Sequence, residues 1–461
     1  MKKISSLSIT FVLSAALLLG ACGQSAGAVS DASPDRSTSE QTGSLSAQTG
    51  TAQTAATQTS AAQTEAAQTG ASDLFTGREL DPSYDEGTAV RITLSDSGAA
   101  CDGAGVSVSG GKVTITDEGV YLLSGTLSNG SVIVDAEKTD KIQLVLDGAS
   151  VTSADFAALY VKQADKVFVT LAAGSENTLA NGGSFTQVDE NNVDAAVFSK
   201  DDLCFNGTGS LTVSSPAGSG VVCKDALTVT GGAYEIEAAN NAIRAKDSIA
   251  VAGGSFVLTA GDDGLHAENA DDETLGNIFI TGGSFTVKAV DDAIHATALL
   301  QIDGGSFELT AAEGLESTSI TINDGEISIS ASDDGVNAAN KSAAYRPTVQ
   351  INGGTLRIVM AAGDTDGVDS NGDLIINGGT VDITGPFAFD VDGTAQYNGG
   401  TIIVNGQTVN SIPNQGMGGG QPTGFGGMGR GGFDGMTPPD GQTPPDMGGG
   451  GRGGQGPGGR Y

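Results

Sequence analysis

Apolar and polar residues alternate in short segments that recur along the chain between residues 203 and 412. Each segment follows a Gly-Gly or Asp-Gly pair, and the pairs lie 20 to 29 residues apart, at Gly231, Gly253, Gly282, Gly304, Asp324, Gly353, Gly378 and Gly399. Alternation with a period of two predicts strands with one buried face. A second alternating pair precedes most of the glycine pairs, so each repeat is predicted to contain several strands and no helix. The apolar pairs after the glycines are Tyr234 and Ile236, Phe256 and Leu258, Phe285 and Val287, Phe307 and Leu309, Ile327 and Ile329, Leu356 and Ile358, and Val381 and Ile383.

Repeated strands of this kind predict a solenoid. A single repeat cannot close a core, whereas stacked coils bury one continuous apolar column. The sequence therefore predicts an all-β fold, a right-handed parallel β-helix with about 22 residues per coil. The longer spacings are explained by insertions at residues 269–276 and 342–347, which we expect to bulge from one corner. A sandwich of short strands is the alternative.

The chain divides around this region. Residues 73–202 alternate less regularly and are predicted to form an N-terminal β cap and the first coils, followed by the regular β-helix at residues 203–412. Residues 23–72 form a stalk of Ser, Thr, Ala and Gln, and residues 413–461 a tail rich in Gly, Met and Pro. Both segments contain too few large apolar residues to form a core, and both are predicted to be disordered.

The first 22 residues have the features of a bacterial lipoprotein signal peptide. Lys2 and Lys3 precede an apolar run that is too short to span a bilayer comfortably, and Cys22 closes a lipobox. Acylation of Cys22 predicts a protein anchored by lipid to the outer face of a bacterial membrane, at the cell surface. The alternative is an ordinary cleaved secretory signal with a chance cysteine, and export follows in either case.

Charge and composition exclude several classes of function. The net charge of −34 repels nucleic acid and anionic membranes and favours cations, so nucleic-acid binding is excluded and membrane contact is expected only through the anchor. Trp is absent, which argues against a flat aromatic platform for sugars. Cys101, Cys204 and Cys223 show no disulfide spacing and are expected to be free thiols, mostly buried, in a monomer.

Doubled acidic residues recur at equivalent places in successive coils. Stacked about 4.8 Å apart, their carboxylates would repel one another unless a cation neutralised them. Oxygen ligands from Asp, Glu and Asn are those that Ca²⁺ prefers, so we predict a Ca²⁺ stripe. Turn formation by Asp and Gly is the alternative reading, although it does not explain why the acids are doubled. The predicted ligands are Asp262, Asp263, Asp291, Asp292, Glu313, Glu316, Asp333, Asp334, Asn337, Asp366 and Asp369.

Three further residues are candidates for ligand binding: Arg244, His266 and His295. The two histidines fall at equivalent places in consecutive coils and are expected to project outward beside the acidic stripe. Two imidazoles are potential ligands of a transition metal such as zinc, but no third soft ligand accompanies them. The favoured interpretation is a pair of adjacent polar residues that hydrogen-bond to the acids.

These features together carry a family resemblance. The lipobox, the low-complexity stalk, the glycine-paired coils, the doubled-acid turns and the Gly/Met-rich tail resemble the calcium-binding β-helix carbohydrate-binding lipoproteins of clostridia and relatives. The resemblance implies a pectate-lyase-like fold that binds polysaccharides such as polygalacturonate and cellulose without demonstrated lyase action. The match departs at Glu313 and Glu316, where one acid lies in the turn and one on the strand. The turn residues that match directly are Asp262, Asp263, Asp291, Asp292, Asp333, Asp334 and Asn337.

The predicted function is binding of an acidic, plant-type polysaccharide through Ca²⁺ held on the acidic stripe. One alternative is a Ca²⁺-dependent polysaccharide lyase of the pectate-lyase type, which needs a base as well as the cation. The candidates for that base by position are Arg244, Lys246, Lys288 and Lys341, of which Lys288, three residues before Asp291, is the best placed. An acidic surrounding, however, raises the pKa of a lysine and makes it a poor base. A structural or adhesive wall protein is the third possibility.

Overall fold

The computed structural model describes residues 70, 74–96, 98–363 and 365–413. The predicted signal peptide with Cys22, and nearly all of the predicted stalk and tail, lie outside the described residues. Within these ranges the chain consists almost entirely of strands and turns, joined in one 36-stranded sheet in which parallel pairs dominate. The prediction of an all-β fold is confirmed. No helix among the described residues is long and apolar enough to cross a membrane.

The parallel strands form three stacks, and a typical coil contributes one strand to each. The first stack carries most of the candidate site residues. Its strands are β4 (Lys112–Ile115), β6 (Ser131–Asp135), β8 (Leu159–Gln163), β11 (Ala195–Ser199), β14 (Ser219–Cys223), β17 (Ile243–Ala245), β20 (Leu265–Ala267), β23 (Asp292–Ile302), β25 (Glu313–Ile322), β27 (Val336–Ala338), β30 (Asp366–Ser370) and β33 (Phe387–Val391).

The second stack follows the first along the chain, and the long strands β23 and β25 continue through both stacks. Its other members are β1 (Val90–Ser95), β5 (Gly119–Leu127), β7 (Lys141–Ser153), β9 (Lys166–Leu171), β12 (Asp202–Gly207), β15 (Ala226–Val229), β18 (Ser248–Val251), β21 (Asn277–Ile280), β28 (Thr348–Ile351), β31 (Asp373–Ile376) and β34 (Ala395–Tyr397).

The third stack begins on the last residues of β5 and the second half of β7, and it contains the strands that follow the glycine pairs. Three further strands pair antiparallel at the ends of the sheet: β2 (Gly98–Cys101) with β1, β3 (Val106–Ser109) with β4, and β36 (Gln407–Val409) with β35. The third-stack strands are β10 (Glu176–Asn181), β13 (Ser210–Ser215), β16 (Ala233–Ala238), β19 (Ser255–Ala260), β22 (Ser284–Lys288), β24 (Ser306–Ala311), β26 (Glu326–Ala331), β29 (Thr355–Met360), β32 (Thr380–Thr384) and β35 (Thr401–Val404).

One apolar core runs through the stacks, and it contains every alternating pair predicted after the glycines. Tyr234, Phe256, Phe285 and Phe307 form a ladder of stacked rings whose successive centroids lie 5.1, 4.6 and 4.8 Å apart. These separations match the spacing of neighbouring strands, about 4.8 Å, because each coil contributes one ring. The turn before Phe256 needs glycine, since Gly254 has a φ of +122° and approaches the carbonyl of the coil below.

The two insertions lie at the same corner, between the first and second stacks. Residues 268–276 connect β20 to β21, and residues 339–347 connect β27 to β28. The two loops touch, because the Ser342 hydroxyl donates a hydrogen bond of 2.6 Å to the carbonyl of Glu273. The prediction that both insertions bulge from one corner without breaking the column is confirmed.

A short segment before β1 covers the outer side of the second stack. It contains the helix α1 (Gly77–Leu80), which begins with a capping box between Thr76 and Glu79. Glu79 is buried, and its carboxylate lies 2.6 Å from the Lys166 ammonium and accepts a hydrogen bond from Thr228. A buried, paired carboxylate of this kind fixes the segment on the strands beneath it.

Candidate functional site

The outward-facing side chains of the first stack form a column that changes in character along the sheet. Strand register aligns one residue from each coil, and these residues point away from the core because their neighbours on either side are buried. We call this the polar column; its members are Arg244, His266, His295, Glu316, Asn337, Asp369 and Asp390. The column starts basic, continues through two histidines and ends acidic.

A second set of side chains lies three residues earlier in each coil, and we call it the acidic column. Its members are Asp263, Asp292, Glu313, Asp334 and Asp366, of which Asp292 and Glu313 are direct register partners. Asp263 and Asp292 are each 3% exposed, whereas Asp262, Asp291 and Asp333, the first acids of the doubled pairs, are exposed.

Two members of the acidic column hold the backbone of the next coil. The Asp292 amide donates a 2.8 Å hydrogen bond to Asp263 Oδ1, and the Asp366 amide donates a 3.1 Å bond to Asp334 Oδ1. Turn formation therefore accounts for part of the acidic column, since a carboxylate that accepts a backbone amide fixes the geometry at that corner. It does not account for the exposed partner acids or for the carboxylates farther along.

The two histidines bridge the columns. Their rings are stacked with centroids 4.7 Å apart, and each is largely buried, with 14% of the side chain exposed. His266 Nδ1 lies 2.6 Å from Asp263 Oδ2, and His295 Nδ1 lies 2.7 Å from Asp292 Oδ2 and 2.9 Å from Glu316 Oε2. Burial by itself lowers the pKa of His295, but the hydrogen bonds to the two carboxylates raise it well above the usual range, so the ring carries a positive charge.

Lys341, from the loop between β27 and β28, supplies the other positive charge. Its ammonium lies 2.8 Å from Glu316 Oε1, so Glu316 is held between His295 and Lys341. Burial raises the pKa of Glu316, but hydrogen bonds from His295 and Lys341 outweigh that effect and lower it well below the usual range. Next to it, Asn337 Nδ2 donates a 3.0 Å hydrogen bond to Glu313 Oε2.

Three other carboxylates of the two columns make no ion pair among the described residues comparable to those of Glu316 with His295 and Lys341. Burial, reinforced by the like charges of neighbouring carboxylates, raises the pKa of Glu313 to about 8, of Asp369 to about 7 and of Asp334 to about 6. Among the described residues, Asn337 Oδ1 and Asp390 Oδ1 are buried and accept no hydrogen bond. A buried oxygen without a donor is costly, and a set of such oxygens beside carboxylates suits a hard cation.

Three compact groups of donor atoms among the described residues could hold a cation, with different chemistry. Asp262, Asp263 and Asp291 bring carboxylate oxygens within 4.8 Å of one another, an all-oxygen set that fits Ca²⁺. Two other groups of similar compactness include histidine, namely Asp263 with His266 and His295, and Asp292 with His295 and Glu316. The Nδ1 atoms of both histidines already contact carboxylates at 2.6 to 2.9 Å, the arrangement expected of polar residues hydrogen-bonded to the acids.

The remaining predicted residues lie in different surroundings. Arg244 Nη2 lies 3.6 Å from Asp194 Oδ2, at the basic end of the polar column. Lys288 lies on β22 of the third stack with an exposed side chain, whereas the lysine that contacts the acids is Lys341. Sequence reasoning did not select Asp390, which extension of the register by one coil would have identified.

Proteins similar to this chain are described as carbohydrate-binding or polysaccharide lyase-like. Residues 109–385 match a family model described as carbohydrate-binding domain-containing protein. A protein of that description from Acetivibrio thermocellus is 37% identical over 136 residues, which is 29% of this chain. The chain spans about half of that relative's length, 48%. The polysaccharide lyase-like protein from C. thermocellum, solved as a gadolinium derivative, is 31% identical in sequence and superposes with a TM-score of 0.46. The aligned region covers 52% of this chain and 94% of that protein's chain. This chain belongs to the family of carbohydrate-binding domain-containing proteins.

Proposed function

We propose that this protein binds an acidic polysaccharide at the cell surface through Ca²⁺ held by the acidic and polar columns, and that it does not cleave the polysaccharide. Its membership of a carbohydrate-binding family supports the binding of a carbohydrate. The cation, the acidic substrate and the location are inferred from the residues of the site and from the sequence.

One observation supports the presence of a cation site: carboxylates with raised pKa values surround buried oxygens that accept no hydrogen bond from the described residues. The carboxylates with raised pKa values are Glu313, Asp334 and Asp369, and the buried oxygens without a donor are Asn337 Oδ1 and Asp390 Oδ1. A bound divalent cation would favour the ionised carboxylates and satisfy the amide oxygen of Asn337. The all-oxygen group around Asp262 would provide a further position.

The cation also explains how such a protein would bind a polyanion. A chain with a net charge of −34 repels a polyuronate at long range, so attraction has to come from local positive charge. Divalent cations in the columns would supply it by bridging a protein carboxylate to a sugar carboxylate. The absence of Trp fits recognition through ions and hydrogen bonds rather than through stacking on an aromatic surface.

Binding without cleavage is favoured by the state of the lysines. A lyase base must be deprotonated when it abstracts the proton next to a uronate carboxylate. Burial lowers the pKa of Lys341, but its hydrogen bond to Glu316 and the surrounding carboxylates outweigh that effect and raise it. Lys288 lies on the third stack rather than on the first, which carries the columns.

The scaffold and the location complete the proposal. We infer that the three-strand repeat winds as a right-handed β-helix, because parallel strands of one sheet are almost always connected with that hand. Acylation of Cys22 would hold the protein on the outer membrane face, so that Cys22→Ser should abolish membrane partitioning.

The test is affinity for polygalacturonate, measured in Ca²⁺ and in EDTA by electrophoresis in polysaccharide-containing gels. We expect retardation in Ca²⁺ and a large loss of it in EDTA. The double variant Asp334→Asn with Asp369→Asn should lose most of the Ca²⁺-dependent retardation, because it removes two charges while preserving shape. The matched control is Glu308→Gln with Glu326→Gln, which removes two exposed charges from the third stack.

Equal retardation in Ca²⁺ and EDTA would contradict the proposal, as would equal behaviour of the two double variants. Unsaturated uronate absorbance generated by the wild-type protein at alkaline pH would identify it as a lyase instead. Loss of that activity in Lys341→Met or in Lys288→Met would then identify the base.

A further inference from the structure

A pocket of about 250 Å³ opens at the basic end of the polar column. It lies where β14, β17 and β20 leave the first stack, beneath the loop of residues 268–276. Pockets for drug-sized ligands usually measure about 300–1,000 Å³, so this one suits a single sugar residue rather than an extended oligomer. The charged residues that line it are Lys224, Arg244, Lys246, Glu268 and Asp271.

The positively charged side chains of the pocket differ in how closely they pair with carboxylates. The Lys246 ammonium lies 2.6 Å from Asp271 Oδ2, and Arg244 lies at the longer distance of 3.6 Å from Asp194. Lys224 makes no ion pair with a carboxylate of the described residues; its ammonium lies 5.7 Å from the centre of the Phe198 ring. Partial desolvation and the charge of Arg244 lower the pKa of Lys224, and the charge of Asp194 opposes them without cancelling their effect.

The pocket is continuous with the proposed Ca²⁺ site. Arg244 is the register partner of His266, which stacks on His295, and His295 contacts Asp292. Successive coils lie about 4.8 Å apart, so the pocket begins one coil before the first carboxylate pair of the acidic column. A polymer that follows the column would therefore pass from a protein cation to metal-bound positions.

We propose that this pocket binds the carboxylate of one acidic sugar residue directly, without a metal ion, through Lys224 and Arg244. The inference rests on the proposed function and deepens it, because it assigns a second subsite to the same polysaccharide. Arg244 offers paired N–H donors that match a carboxylate, and Lys224 adds an ammonium that forms no ion pair within the described part of the chain. The pocket selects acidic over neutral sugars because its unpaired charge gains most from an anion.

The experiment measures binding of a galacturonate oligomer to the full chain by calorimetry in EDTA and low salt, where only the metal-free subsite contributes. The variant is Lys224→Met with Arg244→Gln, which removes both charges and keeps most of the side-chain volume. The single variant Lys288→Gln is the charge control, because Lys288 is an exposed cation on the third stack. Near- and far-ultraviolet circular dichroism establishes that each variant is folded.

We expect weak but measurable binding by the wild-type protein and by Lys288→Gln, and binding at least about tenfold weaker in the double variant, since a charged hydrogen bond contributes on that order. A neutral galactose oligomer should bind none of them. The inference is wrong if the double variant binds as well as the control, or if no protein binds in EDTA. Failure of Ca²⁺ to strengthen binding in any of these proteins would instead contradict the proposed function, so the two failures are distinguishable.

Discussion

His295 lies between two carboxylates that have few other donors. Its Nδ1 contacts Asp292 Oδ2 at 2.7 Å and Glu316 Oε2 at 2.9 Å. His266 occupies the same place one coil earlier, but its partner Asp263 also accepts hydrogen bonds from Asn241 and from the Asp292 amide. The carboxylates around His295 therefore depend on that histidine more than Asp263 depends on His266.

Replacement of His295 should accordingly cost more than replacement of His266. His295→Leu removes the cation between two buried carboxylates, and breaking a buried pair in this way costs about 3 kcal/mol. His266→Leu should cost clearly less, because Asp263 keeps two donors. Thermal unfolding in EDTA at pH 6 measures the difference. Equal melting temperatures for the two variants would contradict this reading of the histidines.

The thiols allow a test of burial. Cys204 and Cys223 are buried and free, and Cys101 is half-buried and free, as the sequence predicted for mostly buried thiols. Burial raises the pKa of Cys204 to about 12 and that of Cys223 beyond the usual range, so neither forms a thiolate at pH 8. Peptide mapping after brief alkylation at pH 8 should find Cys101 labelled first. Labelling of Cys204 or Cys223 at the same rate would show that the coils open easily.

At single positions, the sequence predicted which residues align between coils, but not which side chains contact one another. Alternation and register were sufficient to align His266, His295, Glu316 and Asn337, because a strand has a fixed period of two. They did not reveal that Lys341 pairs with Glu316, since Lys341 lies in a loop outside the repeat and its position depends on the path of that loop. The choice of Lys288 as the candidate base followed from sequence distance alone.

Each coil contributes to the stability of its neighbours through identical contacts. Phe256, Phe285 and Phe307 stack in parallel, with ring planes within 3° of each other, because the second glycine of each pair fixes the same turn. A ring in the middle of this ladder has a partner on both sides. A change there should therefore affect more than one coil.

Phe285→Ala should lower the free energy of unfolding by about 4 kcal/mol, since it removes a fully buried ring and leaves a cavity between two others. Phe285→Leu should cost less, because it retains most of the apolar volume. Urea unfolding followed by circular dichroism measures both variants. A cost below 1 kcal/mol for Phe285→Ala would show that the neighbouring coils collapse into the space.

The elements that the sequence predicted are those that repeat. The glycine pairs and the alternation located the third-stack strands, and the two insertions were correctly placed at one corner. The segment around α1 was not predicted as a cover for the second stack. Its main contact, Glu79 with Lys166, joins positions far apart in the sequence, and no periodicity connects them.

Over the whole molecule, charge is distributed unevenly around a net value of −34. The buried part of the excess negative charge is concentrated in the acidic and polar columns, where burial and like charges raise the pKa values of Glu313, Asp334 and Asp369. The folded protein therefore holds protons on these groups at a pH where the unfolded chain has lost them. That difference couples stability to both pH and cations.

The sign of the pH effect follows from the direction of the shifts. A carboxylate whose pKa is raised on folding makes the folded state bind more protons than the unfolded state. The free energy of unfolding therefore falls as the pH rises from the carboxylate's pKa in the unfolded chain, near 4, through its pKa in the folded protein. In the folded protein, the pKa values of Asp334, Asp369 and Glu313 are about 6, 7 and 8. The raised pKa of His295 acts in the same direction, since its stabilising charge is fully present below about 6.5 and is lost at higher pH.

In EDTA, the melting temperature should therefore fall steadily between pH 5 and pH 8.5. Millimolar Ca²⁺ should raise it most at the upper end of this range, where the carboxylates are ionised and bind the cation without releasing protons. Asp334→Asn with Asp369→Asn should make the dependence in EDTA less steep and reduce the gain from Ca²⁺, because two of the groups that titrate are then neutral at every pH. Differential scanning calorimetry of both proteins across the range measures these slopes. A melting temperature that rises with pH in EDTA would mean that these carboxylates are ionised in the metal-free protein, and the electrostatic basis for the cation would be lost.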